Sequence, residues 1–327
     1  MERWKLKKNT ILQAILFQHS DINRKYMKAT FIIIVLLALS ASYGQDGLKK
    51  SYYDNGKLKS EENFHSGKKD SVCNYCYATG ILKESLNFRN GTKQGDCYLY
   101  YPDGVLKEFY TYDNNKYNGP FRTYYPGGFL KESGNYNNGQ FDSLLKSFYI
   151  TGELKTLYPF INGQREGVLR EYYLNGKIMS EAQFHNDSPD GITKWYYDSG
   201  VLKSEYHFTN GIMKGKAVEY YPSGKISAIK NLSDNHLDSL IVYYFENGRI
   251  KSEINYKNGD KEGIAKSYYE DGTLWTVQNY EDDKLEGETK IYRENKSLWF
   301  IENYKEGDLK SSKEFSENGN IISEKKF

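Results

Sequence analysis

The side chains that could carry chemistry are few and scattered. Cys73, Cys76 and Cys97 are the only cysteines, and they form neither a disulfide framework nor a zinc-binding pattern. Cys73 and Cys76 are three residues apart, so on a strand they would point to opposite faces and could not share one ion. The histidines and the acidic pairs share no common spacing. We therefore expect no catalytic residues, no metal site and no cofactor, and we expect the protein not to be an enzyme.

One short pattern could instead carry a modification. The sequence Asp-Ser-aliphatic occurs three times, with its serines at Ser71, Ser143 and Ser239. It resembles the acceptor sequence for O-glycosylation in some exported bacterial proteins, which would make these three serines glycosylation sites. The alternative is that Asp-Ser is simply a favourable pair of turn residues.

These residues all lie within a repeat of 24 residues. Its tip contains two aromatic residues, a turn that ends in glycine, one variable residue and usually Leu-Lys, as in residues 100–107. Positions are counted from the tip glycine, which is position 0. An internal repeat of this length indicates a repeat architecture. The ten tip glycines in unbroken register are Gly56, Gly80, Gly104, Gly128, Gly152, Gly176, Gly200, Gly224, Gly248 and Gly272.

Each repeat predicts two strands and two tight turns. Leu or Ile at +2 and an aromatic residue at +8, replaced once by Leu232, have the same parity, so we expect them on one face of a strand. Position +11 is always Gly, Asn or Asp, the types that adopt positive φ most readily, and position +15 is Gly or Ser. The connections are too short for parallel pairing. We predict an all-β fold, an elongated array of antiparallel hairpins that forms one long twisted meander sheet.

The chain ends depart from this repeat. Residues 27–44 combine one basic residue, an apolar run and small residues, the pattern of a signal peptide, with cleavage predicted between Gly44 and Gln45. The alternative is an uncleaved amphipathic anchor. Residues 1–26 ahead of it indicate a misassigned translation start or, alternatively, an unusually long basic region of the signal.

Two segments make up the predicted mature chain. Residues 45–287 contain the ten regular repeats, and residues 288–327 predict a degenerate capping repeat and a half, with Asn295 at the tip position. The formal net charge of the whole chain is +2. However, residues 1–44 hold seven of the 45 basic residues and two of the 43 acidic ones, which leaves the remainder at −3. The repeats therefore lack the basic surface of a nucleic-acid-binding protein.

The pattern as a whole resembles MORN repeats, and most closely their bacterial variant type. The sequence of residues 268–274, followed by Tyr280, is typical, and the resemblance covers about residues 49–327. It implies stacked β-hairpins and an interaction scaffold without catalytic residues. Eukaryotic relatives are associated with membrane apposition, lipid contact and protein scaffolding, and some bacterial relatives carry an antitoxin label.

We therefore expect an exported scaffold that is periplasmic, associated with the outer membrane, or secreted. It would bind a protein or an envelope polymer, with contact to a membrane surface but no transmembrane span in the mature chain. One alternative is a cytoplasmic, antitoxin-like partner-binding protein, which requires an inactive leader. Another is an envelope glycan-binding protein or, least favoured, a glycan hydrolase. The repeated tyrosines either line a binding strip or only hold the sheet together.

Overall fold

The computed structural model describes residues 46–327, so the predicted leader and its cleavage site lie outside the described residues. The described strands belong to one antiparallel sheet of 30 strands built from repeated hairpins, and the predicted all-β meander is confirmed. Within residues 46–327, no helix is long and apolar enough to cross a membrane. The described chain divides into two compact units, residues up to Val105 with Tyr112–Lys116, and Leu106–Thr111 with Tyr117–Phe327.

The first unit contains seven complete strands. They are β1 (Gly47–Tyr52), β2 (Leu58–His65), β3 (Lys68–Lys69), β4 (Ser71–Cys76), β5 (Leu82–Arg89), β6 (Thr92–Lys93) and β7 (Gly95–Tyr100). Two further strands contribute residues to both units, β8 (Leu106–Asp113) and β9 (Lys116–Tyr124).

The second unit contains the remaining strands. The first of them are β10 (Leu130–Asn137), β11 (Gln140–Phe148), β12 (Leu154–Ile161), β13 (Gln164–Arg165), β14 (Gly167–Tyr172), β15 (Ile178–His185), β16 (Ser188–Tyr196), β17 (Leu202–Thr209), β18 (Ile212–Met213), β19 (Gly215–Tyr220) and β20 (Ile226–Ser233). The others are β21 (His236–Leu237), β22 (Ser239–Tyr244), β23 (Ile250–Lys257), β24 (Asp260–Tyr268), β25 (Leu274–Glu281), β26 (Lys284–Leu285), β27 (Gly287–Tyr292), β28 (Leu298–Lys305), β29 (Asp308–Phe315) and β30 (Ile321–Lys326).

A β-bulge just after each tip decides which side chains share a face. Between β16 and β17, Trp195 lies opposite Ser204 and Tyr196 lies opposite Leu202, so Lys203 at +3 is the extra residue. Neighbouring residues of β16 point to opposite faces, and therefore +2 and +4 do so as well. The expectation that +2 and +8 share a face is wrong, because the bulge shifts the parity between them.

The two faces of the sheet differ in packing. The packed face carries positions +4, +6, +8, +13, −7 and −5, and the open face carries +2, +5, +7, −4, −6 and −8, as the pairing of β16, β17 and β18 shows. On β16, Thr193 at −7 is buried, whereas Ile192 at −8 is 40% exposed. Cys73 and Cys97 also occupy −7, where both are fully buried free thiols. They are therefore small core residues.

In the last repeat the tip residue is Lys296 and not Asn295, so the spacing of 24 residues is kept. Lys296, 24 residues after Gly272, has φ = 71°, and its amide donates to the carbonyl of Arg293 at 2.9 Å. Asn295 instead accepts a hydrogen bond from the amide of Ser297, as Asn175 does from Lys177 five repeats earlier. The assignment of Asn295 to the tip is therefore wrong. The one-residue deletion falls later, between Lys296 and Gly319.

Candidate binding site on the packed face

The residues singled out from the sequence lie at turns. All ten tip glycines have φ between 77° and 100°, a region that favours glycine. Ser71, Ser143 and Ser239 are exposed and have φ between 65° and 67°, at a position where most repeats have glycine. The Ser239 hydroxyl donates to Asp238 at 3.0 Å. The described residues contain no group of His, Cys, Asp and Glu that could hold a metal ion.

The tyrosines at position −3 bind the backbone of the following repeat. In eight repeats the hydroxyl donates to the carbonyl 23 residues later, at 2.7–3.0 Å. Phe245 stands at one of these positions and has no hydroxyl, while Arg293 stands at another and donates from its guanidinium to the carbonyl of Phe315 at 2.7 Å. This row of tyrosines therefore links successive repeats. The donors are Tyr53, Tyr77, Tyr125, Tyr149, Tyr173, Tyr197, Tyr221 and Tyr269.

The row of aromatic residues at +8 on the packed face is interrupted once among the regular repeats, in the second unit. Leu232 is the only non-aromatic residue at +8, Lys230 is the only lysine at +6, and Trp195 is the only tryptophan at −5. These three residues meet at a cavity of about 380 Å³. Its lining is mainly apolar and consists of Trp195, Tyr206, Met213, Lys230, Leu232, Asn235 and Leu237. A concave, mainly apolar site of this size with a few polar groups is typical of ligand-binding sites.

A carboxylate fixes the polar end of this site. One oxygen of Glu219 accepts hydrogen bonds from the Tyr206 hydroxyl and from Lys230 Nζ, the latter at 2.7 Å. Burial alone would raise the pKa of Glu219, but these two hydrogen bonds outweigh it and hold the pKa below its usual value. Burial, together with the bond to Glu219, raises the pKa of Tyr206. At neutral pH the site therefore holds the Glu219 carboxylate, bound by a neutral phenol and by Lys230.

The same tyrosine–glutamate pair recurs 48 residues earlier, where a serine is the second hydrogen-bond donor. Tyr158 donates to one oxygen of Glu171 at 2.8 Å, and Ser180 donates to the other at 3.0 Å. At the later copy, Ala228 replaces Ser180 and Lys230 supplies the second donor. The +8 residue of the earlier copy is Phe184, whose ring lies 4.5 Å from the guanidinium carbon of Arg165. In the earlier copy an aromatic ring and an arginine therefore stand at the places of Leu232 and Met213.

The site was not predicted from the sequence, although the sequence contains one sign of it. Leu232 is visibly the exception among the aromatic residues at +8. The sequence does not show that Met213 and Leu237 lie beside Leu232, because Met213 comes from the preceding repeat. Together, the fold and the site define an antiparallel β-repeat protein with a cavity at the repeat in which Leu232 replaces the aromatic residue.

The comparisons with known proteins place these repeats in a family. The pattern described as "MORN repeat variant" matches residues 45–66, 93–114, 165–186, 189–210, 237–258, 261–282 and 285–306. The chain belongs to this family of MORN-variant repeat proteins. Residues 211–236, which contribute Met213, Lys230 and Leu232 to the site, fall between two matched segments. No curated protein matches the sequence.

Solved structures with a similar arrangement are distant. They include the crystal structures of TcdB2-TccC3-Cdc42, at 12% identity and a TM-score of 0.17, and of TcdB2-TccC3, at 11% and 0.14. A third is the Photorhabdus luminescens Tc holotoxin pore with a TccC3 mutation, at 12% and 0.18. Each match covers 85% of this chain but only 18% of the other.

Proposed function

We propose that this protein is an exported, non-catalytic scaffold of the cell envelope that holds a protein partner against the packed face of its repeats. The cavity lined by Trp195, Met213 and Leu232 is the observation that carries the proposal, because it interrupts an otherwise regular row of aromatic side chains. The polar groups at the cavity already pair with each other, Lys230 with Glu219 and Tyr206 with Glu219. This arrangement favours binding over proton transfer or nucleophilic attack.

Site-specific photo-crosslinking in the producing cells tests the binding role. A benzophenone amino acid at Leu237, which lines the cavity, is compared with one at Leu240, which is 40% exposed on the open face. We expect a discrete protein adduct from position 237 and none from position 240. A polymer adduct in place of a protein adduct, or equal labelling at both positions, would contradict the proposed function.

Export rests on the leader pattern of residues 27–44 and has its own test. Amino-terminal sequencing of the native protein should find a chain that begins at Gln45 and is recovered from the envelope or the medium. A chain that retains its leader and stays in the cytoplasm would favour the antitoxin-like alternative, because an antitoxin usually meets its target there.

A further inference from the structure

Aromatic rings at +8 are normally covered by the +13 side chain of the preceding repeat. Phe141 at +13 stacks on Tyr136 at 4.6 Å between ring centroids and lies 5.2 Å from Phe160, the next +8 ring. Lys261 at +13 lies 4.9 Å from the ring centroid of Tyr280. The same contact is made at Phe88, Tyr112, Tyr136 and Phe184, so that most of these rings lie against a +13 side chain. Aromatic pairs of this kind contribute beyond the area they bury.

At Leu232 the ring is missing while its neighbours remain. Met213 occupies +13 of the preceding repeat and Leu237 occupies +13 of the same repeat, and both line the cavity beside Leu232. The volume of about 380 Å³ that they enclose is open to solvent on the packed face. Met213 and Leu237 stand at the position whose side chains contact an aromatic ring in other repeats. A ring from outside the chain would therefore fit the apolar cavity between them.

The hydrogen-bond donors at the cavity restrict what accompanies that ring. Lys230 donates to Glu219 at 2.7 Å, and the other N–H groups of its Nζ are left for an acceptor outside the chain. Asn235 also lines the cavity, and its oxygen is used by the amide of Met213 at 2.8 Å, which leaves its NH₂ group as a donor. The polar edge of the site therefore favours a hydrogen-bond acceptor, and a carboxylate is the acceptor that such donors bind most strongly.

We propose that this cavity binds an aromatic side chain of a partner polypeptide that carries a carboxylate beside that ring. The inference rests on the proposed function and names the chemical group by which the partner is recognised. The ring would lie between Trp195, Met213 and Leu237, and the carboxylate would accept hydrogen bonds from Lys230 and Asn235. The earlier copy has Phe184 and Arg165 at the places of Leu232 and Met213, and it serves as an internal comparison.

A fluorine NMR titration with small probes tests this assignment directly. The protein is labelled with 5-fluorotryptophan, and the signal of Trp195 is identified with the variant Trp195→Phe. N-acetyl-L-phenylalanine should shift this signal saturably, with a midpoint on the order of 1 mM for so small a ligand. N-acetyl-L-alanine should leave it unchanged. The signals of Trp275 and Trp299, which lie elsewhere in the unit, should not move with either probe.

Two variants separate binding from folding. Leu232→Phe restores the aromatic residue of the other regular repeats, so it should fold and yet weaken binding of N-acetyl-L-phenylalanine at least tenfold. Lys230→Met should bring the affinity for this acid close to that for the uncharged N-acetyl-L-phenylalaninamide. The inference is rejected if N-acetyl-L-phenylalanine causes no saturable shift at Trp195, or if folded Leu232→Phe binds it as the parent protein does.

The probe titration and the crosslinking fail independently. A protein adduct at position 237 without probe binding would leave the scaffold function standing and reject aromatic recognition. Probe binding without any adduct would show that the cavity accepts the ring, but it would reject a protein partner at this face and with it both the proposed function and this inference.

Discussion

The linkage between repeats through the −3 tyrosines predicts a stabilising substitution. Phe245 stands at −3, where the other regular repeats have tyrosine. In those repeats the tyrosine hydroxyl binds the carbonyl 23 residues later, which for position 245 is the carbonyl of Tyr268. Phe245→Tyr should place a hydroxyl at the distance of 2.7–3.0 Å that eight other repeats use. A hydrogen bond of this kind contributes about 0.5–1.5 kcal/mol net, and we expect an increase of about 1 kcal/mol in the free energy of unfolding.

The matched control removes the same group where it is present. Tyr197→Phe should lower the stability by a similar amount, because the carbonyl of Tyr220 loses its donor. Urea unfolding followed by circular dichroism gives the total change, and amide hydrogen exchange locates it. In a repeat array each unit contacts mainly its neighbours, so slower exchange should be confined to the repeats that flank residues 245 and 268. If Tyr197→Phe destabilises while Phe245→Tyr does not stabilise, the bond is not transferable and the reasoning is refuted.

Three further predictions follow from individual residues. Lys296→Gly should raise the free energy of unfolding by about 0.5 kcal/mol. The substitution relieves the strain of a positive φ of 71°, and this gain is larger than the cost of the extra conformational entropy that glycine gives the unfolded chain. Urea unfolding of both proteins measures the difference. Glu219 has a lowered pKa in the folded protein, so its contribution is present above the ordinary carboxyl pKa of about 4.3 and is lost as pH falls through the lower folded value; Glu219→Gln should flatten that acid-side loss in unfolding curves. O-glycosylation at Ser143 and its two counterparts should add mass to the native protein beyond residues 45–327, and an unmodified intact mass would exclude it.

The sequence contained enough to predict the class of fold, because its turns depend on residue type. The tip residue has φ near 89°, as at Gly200, and residues other than glycine rarely adopt this angle. The need for a positive φ is therefore visible in the sequence as a recurring glycine. The restriction of +15 to Ser or Gly indicates a second position with positive φ, and Ser143 at this position has φ = 66°. Spacing between such positions then fixes strand length, and strand length with short turns fixes antiparallel pairing.

Features without a residue-type requirement could not be predicted in this way. The bulge at Lys203 arises from the hydrogen-bond register of the tip, and a lysine there looks like any exposed strand residue. The faces were therefore misassigned even though the class of fold was predicted correctly. Lys296 shows the converse case, since a residue type that disfavours positive φ is held in it by the hydrogen bond from its amide to Arg293. Geometry enforced by neighbours overrode local preference at both positions.

The regularity of this chain is what makes its irregular repeat informative. In a sheet held by the same contacts in every repeat, replacing one ring with Leu232 removes packing that the neighbouring repeats retain. Three changes accompany it at one place, Trp195, Met213 and Lys230, and the structure brings all of them to the same cavity. The loss of one ring from an otherwise aromatic row is therefore the feature of the packed face that the proposed binding explains, and restoring the ring with Leu232→Phe is the change that tests it most directly.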